Sequence, residues 1–191
     1  SRPGRALAMW IAWIRDDFPQ DTLLKMLREG LLEIPPDPAA ANAAEPSLSR
    51  LAKLLRRVGI GFGRARYRSQ IAERLKQLEF NRDHPELADD EGEVGERAAQ
   101  LERQMSELRV LDRLCQRLLG QSPAAAASPE VILQSAKWFL LKSARHVTQI
   151  DNFARWRLID QIDDMAQWLP RDPAGISLDL WKWLAALPQE T

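Results

Sequence analysis

The residues best suited to chemistry in this 191-residue sequence are the arginines and lysines between Ser47 and Leu78. Nine basic side chains stand there against one acidic residue, Glu73. Guanidinium groups donate paired hydrogen bonds to phosphate oxygens, and neutralising phosphates releases the counterions around DNA. The segment therefore predicts a surface suited to a phosphate backbone. The residues predicted to contact DNA are Arg50, Lys53, Arg56, Arg57, Arg64, Arg66 and Arg68.

Two other interpretations of this basic block remain open. It could be an ordinary solvated face, or it could pair with the acidic block that follows it. From Asp83 to Glu107 nine acidic residues stand against Arg97 and Arg103. Because adjacent blocks of opposite sign can neutralise each other, the formal net charge of zero says little about the local field.

No group of residues in the sequence predicts catalysis. Residues 157–164 (RLIDQIDD) resemble half of a two-metal nuclease motif, but Ile159 and Ile162 fit the inward stripe of a helix. The glycines of residues 59–63 (GIGFG) follow a helical pattern and lack a phosphate-binding lysine, so they predict a flexible corner. His84 and His146 lack partners at metal-ligand spacing, and Cys115 fits a buried helical position. We expect no catalytic residue, metal or cofactor, unless distant residues converge.

The apolar periodicity predicts an all-α fold, an irregular bundle of about eight helices. Two helices within Arg5–Leu32 should meet at Asp17-Phe18-Pro19, because a proline disfavours helix in the residue before it, and Gly30 should end the second helix. Trp10, Ile14, Phe18 and Leu27 should be buried close together. Three tryptophans are less well placed for the core: Trp13, Trp168 and Trp183. Core packing is still the favoured interpretation for each, and the alternative is that one of them stacks on a base or fills a partner's pocket.

The later helices are predicted with specific ends and faces. Flexible connectors are expected near residues 35–46, 81–95 and 121–128, with the longest helix from about Glu96 to Leu119. Asp151 or Asn152 should cap the next-to-last helix, and Ser177 the last. The inward face of the next-to-last helix should carry Phe153, Trp156, Ile159, Ile162, Met165, Ala166 and Leu169.

The totals predict a single helical domain over residues 1–191 in a soluble, cytoplasmic setting. Hydrophobic residues make up 45% of the chain, and Cys115 is the only cysteine, which excludes an internal disulfide. No apolar run approaches the roughly 20 residues needed to span a bilayer. The chain opens Ser-Arg-Pro without an initiator methionine, which suggests a piece excised from a longer protein.

The order of these pieces resembles the helical inserted region of the AddB and RecC type of helicase–exonuclease subunit, whose helicase fold is related to UvrD. The resemblance is carried by residues 3–7 (PGRAL), 17–19 (DFP), 23–32 (LLKMLREGLL) and 51–60 (LAKLLRRVGI). Later helices match in order and spacing only. The chain contains no ATP-binding loop, nuclease motif or four-cysteine cluster, and its glycine corner is not a feature of that family.

The resemblance implies a non-catalytic fragment whose parent is a subunit of an ATP-dependent helicase–nuclease in DNA repair. Its implied partners are duplex DNA, the remaining domains of the parent chain and a second helicase–nuclease subunit. The alternative is an all-α protein–protein interaction scaffold that does not bind nucleic acid.

Overall fold

The computed structural model describes residues 1–36, 46–84, 94–124, 126–169 and 179–189. These residues contain no strand, which confirms the all-α prediction, and a single antiparallel bridge joins Leu32 to Ala144. They form eight α-helices: α1 (Arg2–Arg15), α2 (Gln20–Arg28), α3 (Leu48–Val58), α4 (Arg64–Asp83), α5 (Val94–Gln121), α6 (Pro129–Lys142), α7 (Gln149–Trp168) and α8 (Leu180–Ala186), followed by a 3₁₀ turn (Leu187–Gln189).

The corner between α1 and α2 lies where the sequence predicts it. Asp17 and Phe18 both adopt left-handed backbone angles, with φ of 59° and 57°. The Phe18 amide donates a 2.7 Å hydrogen bond to the Trp13 carbonyl, which closes the turn. Gly30 ends α2 with φ of 66°. The four residues predicted to be buried here, Trp10, Ile14, Phe18 and Leu27, are all in the core.

Helix α1 is central, because it packs against α2, α6, α7 and α8. The Trp10 ring stacks on Phe139 of α6 at a centroid distance of 4.9 Å, and its Nε1 donates to Ser122 Oγ. On another side, Trp13 is fully buried and its Nε1 donates to the Tyr67 hydroxyl at 3.1 Å. Core packing, the interpretation that the sequence favours for Trp13, is therefore confirmed, and the alternative ligand role is excluded for this residue.

Helices α4 and α5 form an antiparallel pair. Arg64 near the start of α4 donates to the Leu119 carbonyl near the end of α5, and Arg82 lies 3.3 Å from Glu102 at the opposite end. Both helices extend into the connector predicted at 81–95, so helix continues to Asp83 and resumes at Val94. Three predicted features lie outside the described residues: the middle of this connector (85–93), most of the first connector (37–45) and the predicted cap Ser177. In the third connector, residues 122–124 and 126–128 are non-helical.

The N-cap of α7 is not one of the two predicted residues, Asp151 and Asn152. Thr148 is the N-cap, and its hydroxyl accepts a hydrogen bond from the Asp151 amide at 3.1 Å. Asp151 occupies the third helical position, and its carboxylate accepts from the amides of Arg2, Val147 and Thr148. Burial raises the pKa of Asp151, but these backbone hydrogen bonds outweigh it and hold the pKa below its ordinary value. This carboxylate ties α1 to α7.

Replacing Asp151 with asparagine should destabilise the fold by about 1–3 kcal/mol at pH 7, since hydrogen bonds to a charged acceptor are lost. Because the folded pKa is lowered, the stabilisation is complete above the unfolded pKa of about 4 and is lost as the pH falls through the folded value. Urea unfolding at pH 7 and pH 3 should show a smaller pH effect in D151N than in wild type. D160N, which changes an exposed carboxylate on the same helix, should behave as wild type.

Candidate nucleic-acid interface

Helix α3 carries the centre of the predicted DNA-binding block. Ser47 caps its start by accepting from the Arg50 amide, and Gly59 ends it in the left-handed conformation with φ of 69°. Leu51, Ala52 and Leu55 are buried. The cations lie outside this buried face, and all four are exposed: Arg50, Lys53, Arg56 and Arg57.

Three of these cations border a groove of about 350 Å³ between α2 and α3. Arg28, at the end of α2, contributes a fourth cation that the sequence analysis did not identify. Within the described ranges none of the four forms an ion pair. Ser49 and Ala52 complete the lining. We call this surface the basic groove, defined by Arg28, Lys53, Arg56 and Arg57.

Arg50 does not line the groove and forms an ion pair with the acidic block instead. Its Nη1 is 3.3 Å from Glu107 Oε1, and the Glu107 side chain is only 15% exposed. Two other acidic side chains are paired away from α3, since Asp83 and Glu102 both contact Arg82. The Arg82 hydrogen bond lowers the pKa of Asp83. Among the described residues, the two blocks therefore meet at Arg50 and leave the basic groove uncompensated.

The three predicted arginines of α4 point in different directions. Arg64 donates to the Leu119 carbonyl and lies 5.7 Å from the Phe18 ring centroid. Arg66 folds back over the corner before α4. Its Nη1 lies so close to Gly61 that a Cβ added there would be 3.5 Å away. Arg68 faces α5, where its charge acts on Asp112. Burial raises the pKa of Asp112, and the Arg68 charge only partly offsets this rise. The seven predicted residues therefore do not share one face.

The aspartates of the nuclease-like segment do not converge on a metal site. Helix α7 places Asp160 and Asp164 on the surface, while Asp163 accepts two hydrogen bonds from Lys137 Nζ at 2.7 and 2.8 Å. Across the described part of the chain, no group of three or more metal-binding side chains occurs. Cys115 is buried, which raises the pKa of its thiol and keeps it protonated.

Helix α7 exposes apolar side chains that were predicted to face inward. Phe153 is 71% exposed and Trp156 is 48% exposed, whereas Asp151, Ala154 and Leu158 are buried. The error arises because Phe153 and Trp156 are three residues apart, a spacing that fits either face of a helix. Together with two exposed neighbours they form a surface that we call the α7 patch, defined by Val147, Ile150, Phe153 and Trp156.

Positive charge lies beside this patch. The Arg155 guanidinium is 5.4 Å from the Trp156 ring centroid and contacts His146 and Asn152. Arg145 and Arg157 are also exposed. Of the two other tryptophans proposed as ligand contacts, Trp168 is 64% exposed and Trp183 is half-buried against the core.

Comparison of the chain with protein-family models, with curated proteins and with solved structures found no match. None of the helices in the described ranges is long and apolar enough to cross a bilayer.

Proposed function

We propose that this chain is the non-catalytic helical region of a helicase–exonuclease type of DNA repair protein, and that it holds duplex DNA by its phosphate backbone. The observation that carries the proposal is the basic groove. Its four cations come from two helices, border one concave surface and have no carboxylate partner in the described part of the chain. Four uncompensated cations so close together favour an anionic ligand.

The chemistry of the groove suits a phosphate backbone better than a single small anion. Three arginines supply planar donor forks that match phosphate oxygens, and Lys53 adds a point charge. The four cations come from α3 and the end of α2. Such contacts fix the position of a duplex without reading its bases. Strand separation and cleavage would then belong to other parts of the parent protein.

A salt titration of wild-type protein tests this proposal. If each groove cation neutralises one phosphate, the slope of log binding constant against log salt should be about −3.6. The affinity for a fluorescent 20-base-pair duplex should then fall about a hundredfold between 50 and 200 mM salt. Absence of duplex binding at 50 mM salt would refute the proposal.

The α7 patch supports a second role, which is packing on protein. The patch has four exposed apolar side chains, spaced three residues apart. Three of them are on α7, and Val147 directly precedes its cap. Such a grouping is typical of an interaction site. In the leading proposal the patch would contact the remaining domains of the parent chain. In the alternative it would make the chain a scaffold for a protein partner, without any need for DNA.

The double substitution I150S/F153S separates these roles. Both side chains are exposed, so unfolding free energy should change by about 1 kcal/mol or less. Co-purification of this chain with the separately expressed remaining domains of its parent should be lost, and duplex affinity should be unchanged. A protein other than the parent's own domains that still co-purifies after nuclease treatment and charge reversal of the basic groove would support the scaffold role. Co-purification that survives I150S/F153S would exclude the α7 patch as the surface that contacts the parent's other domains.

A further inference from the structure

The corner between α3 and α4 holds an aromatic side chain in solvent. Three glycines, Gly59, Gly61 and Gly63, adopt positive φ angles of 69°, 75° and 96°. These angles favour glycine because other residues meet steric strain there. Between the glycines, Ile60 is completely buried and Phe62 is 62% exposed. The corner thus uses Ile60 as its anchor and projects Phe62 outward.

Tertiary hydrogen bonds hold this corner in place, so the sequence-based prediction of a flexible corner does not fit its geometry. The Gln20 amide donates to the Gly61 carbonyl at 2.7 Å, and Gln20 Oε1 accepts from the Gly61 amide at 2.9 Å. Gln20 Nε2 also donates to the Leu55 carbonyl at 2.7 Å. The Gly63 amide donates to the Asp17 carbonyl at 2.7 Å. The exposure of Phe62 is therefore not a consequence of loose structure around it.

Phe62 follows the basic groove closely along the chain. Arg56 and Arg57 occupy the last turn of α3, and Arg57 is five residues before Phe62, which limits their Cα separation to about 18 Å. On the other side of the corner the Arg66 side chain folds over Gly61. For its bases to meet the ring, DNA bound at Arg57 must extend across the corner, a distance of no more than about 18 Å between the two Cα atoms.

An exposed phenyl ring on an anchored backbone has a flat π-face that can stack on any nucleobase, whatever its identity. In a closed duplex the bases stack on each other, so the ring can reach such a face only at a terminal pair or an unpaired base. We propose that Phe62 stacks on an exposed nucleobase face, at an end of the DNA held in the basic groove. This inference rests on the proposed function, because the groove supplies the backbone contacts.

Phe80 provides a matched control on the next helix. It is 53% exposed, close to the value for Phe62, but its ring already stacks on His84 at a centroid distance of 4.1 Å. F62A and F80A remove the same side chain without changing charge. F62W and F62Y keep a π-face at the corner, whereas F62L keeps only apolar bulk.

Equilibrium binding to three DNA probes tests the inference: a duplex with a single-stranded overhang, a blunt duplex and a covalently closed duplex circle without ends. F62A and F62L should weaken overhang binding by about 5- to 150-fold, while F62W, F62Y and F80A should bind as wild type. All variants should bind the closed circle equally, with the wild-type salt slope, because no phosphate contact is lost. An additional loss on the blunt duplex would identify a terminal pair as a ligand, and a loss confined to the overhang would identify an unpaired base.

Two results would overturn the inference and leave the proposed function standing. One is F62A affinity equal to wild type on every probe that wild type binds. The other is an equal loss on the closed circle, which would assign Phe62 to backbone binding or folding. Failure of the wild-type protein to bind any probe at low salt would instead refute the proposed function, and this inference with it.

Discussion

Replacing Arg56 and Arg57 with alanine should weaken duplex binding about a hundredfold at 50 mM salt. A hydrogen bond to a charged partner contributes about 1.5–3 kcal/mol, so each lost arginine should cost about tenfold or more in affinity. The salt slope should fall from about −3.6 to about −1.8, because two phosphates would no longer be neutralised. Both side chains are exposed, so the fold should be retained. Fluorescence anisotropy with a labelled duplex measures both quantities.

The double variant R82A/R109A is the matched control for this change. It removes the same formal charge from the neighbouring helices α4 and α5, but both arginines already pair with carboxylates, Arg82 with Glu102 and Arg109 with Glu79. Its salt slope should match that of wild type. An equal loss in both double variants would show that binding depends on total charge and not on the basic groove.

Replacing Trp13 with alanine should produce the largest loss of stability. The ring is fully buried and makes edge contacts with Phe18 and Tyr67 at centroid distances of 4.9 and 5.6 Å. Its Nε1 donates to the Tyr67 hydroxyl, which in turn donates to the Phe18 carbonyl at 3.0 Å. Truncating a buried aromatic residue to alanine costs about 3–5 kcal/mol. Urea unfolding should show this loss as a lower midpoint.

Two further tryptophan variants define the cause of that loss. W13F keeps most of the ring but leaves the Tyr67 hydroxyl without its donor, so about 1–2 kcal/mol should be lost. W156A removes a tryptophan that is 48% exposed and should cost about 1 kcal/mol or less. A W13A protein within 1 kcal/mol of wild type would contradict the central position assigned to α1.

The sequence predicts the features that depend on local chemistry. Pro19 comes directly before α2, and Gly30 and Gly59 end α2 and α3 where expected, because proline geometry and left-handed glycine are properties of a few adjacent residues. Helix content is predicted correctly for the same reason, since apolar periodicity records which residues share a face.

The candidate site depends on packing between helices, which local patterns do not specify. Arg28 joins the basic groove only because α2 lies against α3. Arg50 and Arg64 leave the predicted face because Glu107 and the Leu119 carbonyl on α5 bind them. Charge counting identifies the segment that contributes three of the four groove cations, but it cannot identify which cations other helices engage.

The salt slope of a four-residue variant tests the central claim most directly. R28A/K53A/R56A/R57A removes every cation of the basic groove and leaves Arg50, Arg64, Arg66 and Arg68 in place. If the groove holds the duplex backbone, log affinity should depend on log salt with a slope near −3.6 in wild type and near zero in the variant. Equal slopes in two folded proteins would contradict the assignment of DNA binding to this groove.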